Sequence, residues 1–323
     1  MKAVLVDNFW KFDPEKEKKM FEKEGIEFVV ANVTDDDDYV AKCKDADAVL
    51  IGMRKTPPAV IEKLENCKVM VRYGIGYDVI DVDACNKKKI AVCNIPDYCI
   101  EEVAAHTAAL ALDCLRQITY RNRLVHQAKW IGEAHGYSVK RLSTLTYGLC
   151  GFGNIARKTA EHMKSFGFKL VAYDPFVKEE VFEAAGVKKV SLDELCKISD
   201  IISVHVPLSK ETFHLIAKPQ FDIMKKGVII INTSRGGLVC QEDLLDAIDA
   251  GIVKAAGLDV LETEPLTNIN ERILKYDSIL LTPHFAFNSD ESFEELREKV
   301  VLSAIKVLKG ELPNNVVNKK NLI

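Results

Sequence analysis

The chain has 323 residues, 48% hydrophobic and 28% charged, with 44 basic against 48 acidic side chains and a formal charge of -4. That length suits two cores better than one, and the composition excludes a disordered or fibrous polypeptide. The mildly acidic balance attracts neither nucleic acid nor an anionic surface, and no apolar run approaches a bilayer span, so neither partner is expected.

From the N-terminus, short apolar runs alternate with amphipathic stretches. Val4-Leu5-Val6, Phe28-Val29-Val30, Ala48 to Ile51, Val69-Met70-Val71 and Ile90-Ala91-Val92 are expected strands. Pro14 to Glu24, Ala59 to Leu64 and Asp81 to Lys87 are expected helices between them. Near-continuous apolar strands separated by helices predict a parallel sheet covered on both faces. The opening run is cut by Asp7 too soon for a signal-peptide core, so a cytoplasmic chain is expected. Asp35 to Asp38 reads as a solvated helix start, since calcium needs a spaced ligand loop with a terminal Glu.

Ile100 to Leu115 predicts one long, largely buried helix, and the polar stretch 121–143, with Trp130, Gly132, His135 and Gly136, a connecting arm. A second alternating series opens at Tyr147. Its expected strands are Tyr147 to Cys150, Leu170 to Tyr173, Ile201 to Val206, Val228 to Asn232, Ala255 to Asp259 and Ile279 to Leu281. Its expected helices are Ile155 to Phe166, Leu192 to Ile198 and Gln241 to Ala250, with a last helix, Glu291 to Leu308, that crosses back to the first unit. The nine cysteines contain no C-x-x-C pair and several sit in apolar runs (Cys93, Cys114, Cys150). Reduced, buried thiols are expected, with neither a disulfide framework nor a metal.

Tyr147 to Ala156 reads strand, then G-x-G-x-x-A, then helix. Gly151 allows a tight turn, Gly153 lets a pyrophosphate approach the backbone, and small Ala156 lets the helix pack closely on the strand. The free N–H groups and dipole at the helix start suit phosphates. The next strand ends in Asp174, where a carboxylate can accept from ribose hydroxyls and repel a 2′-phosphate, which predicts NAD over NADP.

Reducing a keto acid requires a cation for its carboxylate, a proton donor for its carbonyl oxygen and a group that orients the donor. Arg235 follows an apolar strand in Asn232-Thr233-Ser234-Arg235-Gly236-Gly237, and guanidinium matches a carboxylate bidentately. Glu262 and Glu264 follow the next strand, and His284 ends the one after. Histidine is the natural proton shuttle near neutral pH, and a neighbouring carboxylate orients it. Taken singly, each residue also fits a bland reading: a surface arginine, a hydrogen-bonded structural histidine. Their placement at three successive strand ends favours a shared edge.

Gly151 to Ala156, Asn232 to Gly237, Gly257 to Pro265 and Thr282-Pro283-His284 together resemble the D-2-hydroxyacid dehydrogenase family. Val71 to Asp81 and Ala91 to Pro96 resemble its substrate loop and the segment before its long helix. The likeness runs from about residue 45 to 305 in unbroken order. It implies two doubly wound parallel-sheet α/β domains: a split flavodoxin-like substrate domain (1–101 and 290–323) and a Rossmann NAD-binding domain (102–289). It implies Arg235 as carboxylate anchor, His284 as acid/base and Glu264 as its partner, with Glu262 the competing assignment. Gly151, Gly153, Asn154, Ile155, Asp174, Val206, Pro207, Thr233 and Asp259 would hold NAD(H), Asp259 at the nicotinamide amide. Tyr73, Gly74, Ile75 and Gly76 would hold substrate through backbone N–H groups. The implied activity interconverts a small 2-keto acid and the D-2-hydroxy acid, in a homodimer formed through the NAD-binding domain.

The segment after His284 departs from the commonest family pattern. Phe287, three residues on, resembles the D-lactate dehydrogenase and C-terminal-binding-protein branches and either touches a substrate side chain or packs. Two alternatives stay open: 3-phosphoglycerate dehydrogenase, with Arg54 or Lys55 as phosphate ligand, and an NADH-sensing interaction protein.

Overall fold

The computed structural model describes residues 1–130 and 139–322. Gly132, His135 and Gly136 of the expected arm lie outside them. The chain divides into two compact units, Met1–Cys99 with Ser289–Ile323, and Ile100–Asn288.

The first unit holds a five-stranded, wholly parallel sheet. Its strands are β1 (Lys2–Leu5), β2 (Glu27–Val30), β3 (Ala48–Ile51), β4 (Val69–Arg72) and β5 (Ala91–Cys93), in the order β2-β1-β3-β4-β5. That is the flavodoxin-like order, with its reversal between β1 and β3. Every residue of β3, β4 and β5 is buried, which explains their unbroken apolar sequence: both faces are covered. The covering helices include α1 (Glu15–Glu22), α2 (Asp36–Cys43), α3 (Pro58–Ile61) and α4 (Val82–Lys87). The acidic run is the start of α2, where the Asp35 side chain caps the Asp38 N–H.

The second unit opens with α5 (Ile100–Arg116) and α6 (Ile118–His126). Its strands are β6 (Thr146–Cys150), β7 (Lys169–Tyr173), β8 (Lys188–Lys189), β9 (Ile201–Val204), β10 (Val228–Asn232), β11 (Val253–Leu258) and β12 (Ile279–Leu281). They form one parallel sheet in the order β12-β11-β10-β9-β6-β7-β8. The reversal lies at β6, between β7 and β9, as in dinucleotide-binding sheets. The helices are α7 (Asn154–Ser165), α8 (Glu179–Ala185), α9 (Leu192–Ile198), α10 (Lys218–Phe221) and α11 (Gln241–Asp249). The last helix, α12 (Asp290–Leu308), belongs to the first unit and packs on α1, β3 and β4. There Arg297 meets buried Glu17 at 2.6 and 2.8 Å, across 280 positions of sequence.

Both expected sheets are present and parallel. The stretch expected to be an arm begins instead with α6, none of whose residues is buried; without a buried stripe no apolar period marks a helix. The expected strand through Val206 ends at Val204. No helix among the described residues is long and apolar enough to cross a membrane.

Candidate active site

The glycine turn leaves β6 at the sheet reversal. Gly151 has φ +101°, and a Cβ there would lie 2.9 Å from the backbone of His205 and Val206. Only glycine fits both the angle and the approach. A Cβ on Gly153, by contrast, would meet nothing within 4 Å, so its backbone lies open at the start of α7. No acidic residue stands in the first turn of α7, so that turn places no carboxylate of its own beside the positive end of the helix dipole. Asn154 and Ile155 form that turn, and Ala156 is fully buried beneath it. These features fit a dinucleotide pyrophosphate.

Asp174, just beyond β7, turns back onto the loop. One carboxylate oxygen accepts the Phe152 N–H at 2.9 Å, and the other accepts Phe176 and Val177 N–H at 2.9 and 3.2 Å. A carboxylate has about four acceptor positions, so capacity remains for a ribose hydroxyl. Across the reversal, Ser234 Oγ donates to Val206 O at 2.8 Å, and Thr212 donates to Pro207 O at 2.7 Å. Thr233 Oγ1 is 2.7 Å from Thr107 Oγ1 on α5.

Arg235 follows the fully buried β10. The side-chain amide of Asn232, itself 1% exposed, knots the loop: it donates to Arg235 O at 2.9 Å and accepts Ser234 N–H at 3.1 Å. The half-buried guanidinium donates to Ser234 O at 2.9 Å. Gly236 is indispensable, because a Cβ there would lie 1.9 Å from the Leu261 carbonyl.

His284 sits just past β12 with φ 54°, a left-handed conformation uncommon for a non-glycine residue. Asp259 holds it there. This carboxylate is 2% exposed and accepts Thr282 Oγ1 at 2.5 Å, Phe285 N–H at 2.8 Å and Ala286 N–H at 2.9 Å, while its carbonyl accepts His284 N–H at 2.8 Å. Asp259 therefore shapes the histidine loop through three of its roughly four acceptor positions. Phe287 is half-buried at the end of this loop.

His284 Nδ1 lies 2.7 Å from Glu264 Oε2, and Leu261 N–H donates to Glu264 Oε1 at 2.9 Å. Burial opposes the charge on Glu264. The His284 hydrogen bond and charge, the Leu261 N–H and the Arg235 charge outweigh it and hold the carboxyl below its usual range. Glu262, the competing residue, instead meets His214 Nε2 at 3.0 Å and Gln241 N–H at 2.6 Å. Geometry thus pairs Glu264 with His284. Arg235, Glu264 and His284 follow β10, β11 and β12, three adjacent strands.

In the first unit the expected substrate loop follows β4. Tyr73 is 1% exposed, and its N–H is bonded to Ile51 O at 2.8 Å. Gly74, at φ +146°, donates to Arg72 O at 2.9 Å. The Tyr73 N–H continues the β4 ladder onto β3, and the Gly74 N–H closes a tight turn back to Arg72. The Ile75 carbonyl accepts the Asn94 side-chain amide at 2.7 Å.

A sequence profile described as D-isomer specific 2-hydroxyacid dehydrogenase, NAD binding domain, matches residues 108–286, more than half of the chain. The chain belongs to that family. Within it, a hydroxypyruvate reductase of Blautia hydrogenotrophica is 34% identical over 325 residues, covering 99% of this chain and 100% of its own. A D-3-phosphoglycerate dehydrogenase of Methanocaldococcus jannaschii is 37% identical over 306 residues, 94% of this chain; the chain spans 57% of that relative's length. The crystal structure of an Aquifex aeolicus D-lactate dehydrogenase complexed with NAD and lactic acid superimposes with a TM-score of 0.86 at 30% identity, covering 96% of both chains. The chain is accordingly an NAD-dependent oxidoreductase of the D-2-hydroxyacid dehydrogenase type.

Proposed function

We propose that this enzyme interconverts a small 2-keto acid and its D-2-hydroxy acid, with His284 as acid/base, Glu264 as its orienting partner and Arg235 as carboxylate anchor. The 2.7 Å contact between His284 and Glu264, beside the strand that carries Arg235, supports this reading above all.

When bound, NADH supplies the hydride for C2 of the keto acid. Glu264 engages Nδ1 of His284, leaving Nε2 as the nitrogen that donates a proton to the carbonyl oxygen and recovers it in the reverse direction. Arg235 pairs with the substrate carboxylate and fixes which face meets the cofactor. The backbone of Gly151 to Ile155 would hold the pyrophosphate, Asp174 the adenosine ribose, and Val206, Pro207 and Thr233 would flank the dinucleotide. Ile75 and Gly76 would add N–H donors to the substrate, and Phe287 an apolar contact to its side chain.

A plain 2-keto acid is favoured over a phosphorylated one. The Arg54 guanidinium is already bonded to Asp36 and Thr34 O, both at 3.0 Å, and so is a poor phosphate ligand. Nine cysteines, none in a disulfide among the described residues, suit the reducing cytoplasm. Exposed Ile118, Val125 and Trp130 on and after α6, at 62, 47 and 69% exposure, suit a homodimer formed through the NAD-binding domain.

The test is NADH oxidation against glyoxylate, hydroxypyruvate, pyruvate, larger 2-keto acids and 3-phosphohydroxypyruvate, with His284→Ala as control. Turnover lost in the variant while NADH still binds supports the assignment. A variant that keeps most activity, or a wild-type protein that binds NADH and turns over none of the panel, overturns it.

A further inference from the structure

We propose that His214, Cys240 and Glu262 form a binding site for a divalent cation of borderline softness, namely zinc. One ligand atom from each lies within 4.8 Å of the other two. The three residues come from separate segments: the loop after β9, the residue before α11 and the loop after β11. This separation, with the first two 26 positions apart and the second and third 22 apart, produces none of the short cysteine spacings that mark zinc in a sequence.

The main chain already holds the three in place. His214 N–H donates to Gly237 O at 2.8 Å, Ile216 N–H to Leu238 O at 3.0 Å, and Cys240 N–H to Ile216 O at 2.9 Å, so the His214 and Cys240 segments run side by side. Glu262 is drawn in by the Gln241 N–H at 2.6 Å and by His214 Nε2 at 3.0 Å. The Phe213 ring stacks on the His214 imidazole at 3.9 Å and limits its rotation. In a tetrahedral zinc site, bonds of about 2.0–2.3 Å place neighbouring ligand atoms roughly 3.3–3.7 Å apart. The present cluster needs only small side-chain movements to reach that.

Ligand chemistry selects the ion. Thiolate with imidazole favours zinc over magnesium or calcium, which prefer oxygen. His214 and Glu262 side chains are 30 and 32% exposed, so a fourth position is open to water and the ion has an entry path. Binding releases the thiol proton to solvent and puts the remaining imidazole proton on Nδ1, replacing the His214–Glu262 hydrogen bond. The bound ion would tie three segments together next to Arg235 and Glu264. Gly236 lies directly on the Leu261 carbonyl, and the Leu261 N–H holds Glu264.

The test uses the full-length protein, stripped of metal and kept reduced, titrated with cobalt and then zinc. We expect about one equivalent of cobalt with a thiolate charge-transfer band, displaced by zinc, and a rise in melting temperature of about 5 °C with excess zinc. Cys240→Ser should abolish the band, and His214→Ala and Glu262→Gln should weaken binding at least about tenfold. Glu262→Gln retains an acceptor for the Gln241 N–H, which separates lost ligation from lost folding. His284→Ala should bind as wild type. An unchanged cobalt spectrum in Cys240→Ser, or loss of the band in His284→Ala instead, overturns the proposal.

Discussion

Nδ1 of His284 lies 2.7 Å from Oε2 of Glu264, although the two residues are 20 positions apart and leave different strands. The histidine is thereby held by one nitrogen with the other left for chemistry. His284→Ala should lower kcat by about 10³-fold, the range for losing a positioned acid/base. Glu264→Gln retains an acceptor for the ring but removes the carboxylate charge beside it, and should cost about 10²-fold in reduction. Steady-state kinetics with NADH and the best keto acid checks both. Equal activity of Glu264→Gln and wild type would remove Glu264 from the mechanism.

Cofactor choice should turn on Asp174. Its carboxylate supports the glycine turn through Phe152 N–H and stands at the end of β7. Asp174→Ser should raise kcat/KM with NADPH and lower it with NADH, shifting the ratio about 100-fold. A ratio that stays within twofold of wild type would mean that the ribose is read elsewhere.

His205 gives stability a pH dependence. It joins Ser203 Oγ at 2.8 Å, and burial of its ring pushes the imidazole from 6.5 down to about 3. The folded protein keeps this ring neutral while the unfolded chain protonates it below about pH 6.5. Stability from this residue is therefore complete above that pH and declines as pH falls toward 3. Part of His205 reaches the surface, so the loss between pH 6.5 and 5 should be about 1–2 kcal/mol. Denaturant unfolding of His205→Gln should show a flatter pH dependence; a slope matching wild type contradicts this.

The α6 surface should govern assembly. No residue of α6 is buried, and a nine-residue helix without a packed face is marginal in water. Val125→Asp combined with Trp130→Ser should shift the protein toward monomer in sedimentation analysis. A double variant that stays dimeric would place the contact elsewhere.

Strands and the cofactor loop were legible because their signals are local: unbroken apolar runs for a sheet covered on both faces, and glycines where φ +101° or an open backbone is required. Glu264 as the partner of His284 rested on the family resemblance, with Glu262 in competition. Glu262 and Glu264 are two residues apart in one loop, and only the fold shows one meeting His214 and the other His284. The burial of Tyr73 was hidden because a tyrosine in a glycine-rich loop looks solvent-facing, whereas here its N–H continues the β4 ladder. The work of Asp259 was equally hidden, since three of its acceptor contacts come from residues more than twenty positions later.

The Arg297–Glu17 pair has a consequence for biosynthesis. Its two halves leave the ribosome 280 residues apart. The N-terminal sheet therefore emerges with the face meant for α12 uncovered and must wait while the whole second unit is translated. That second unit, continuous in sequence, can close its core first. Nascent chains stalled before residue 289 should present a finished cofactor domain and an N-terminal unit still dependent on chaperones.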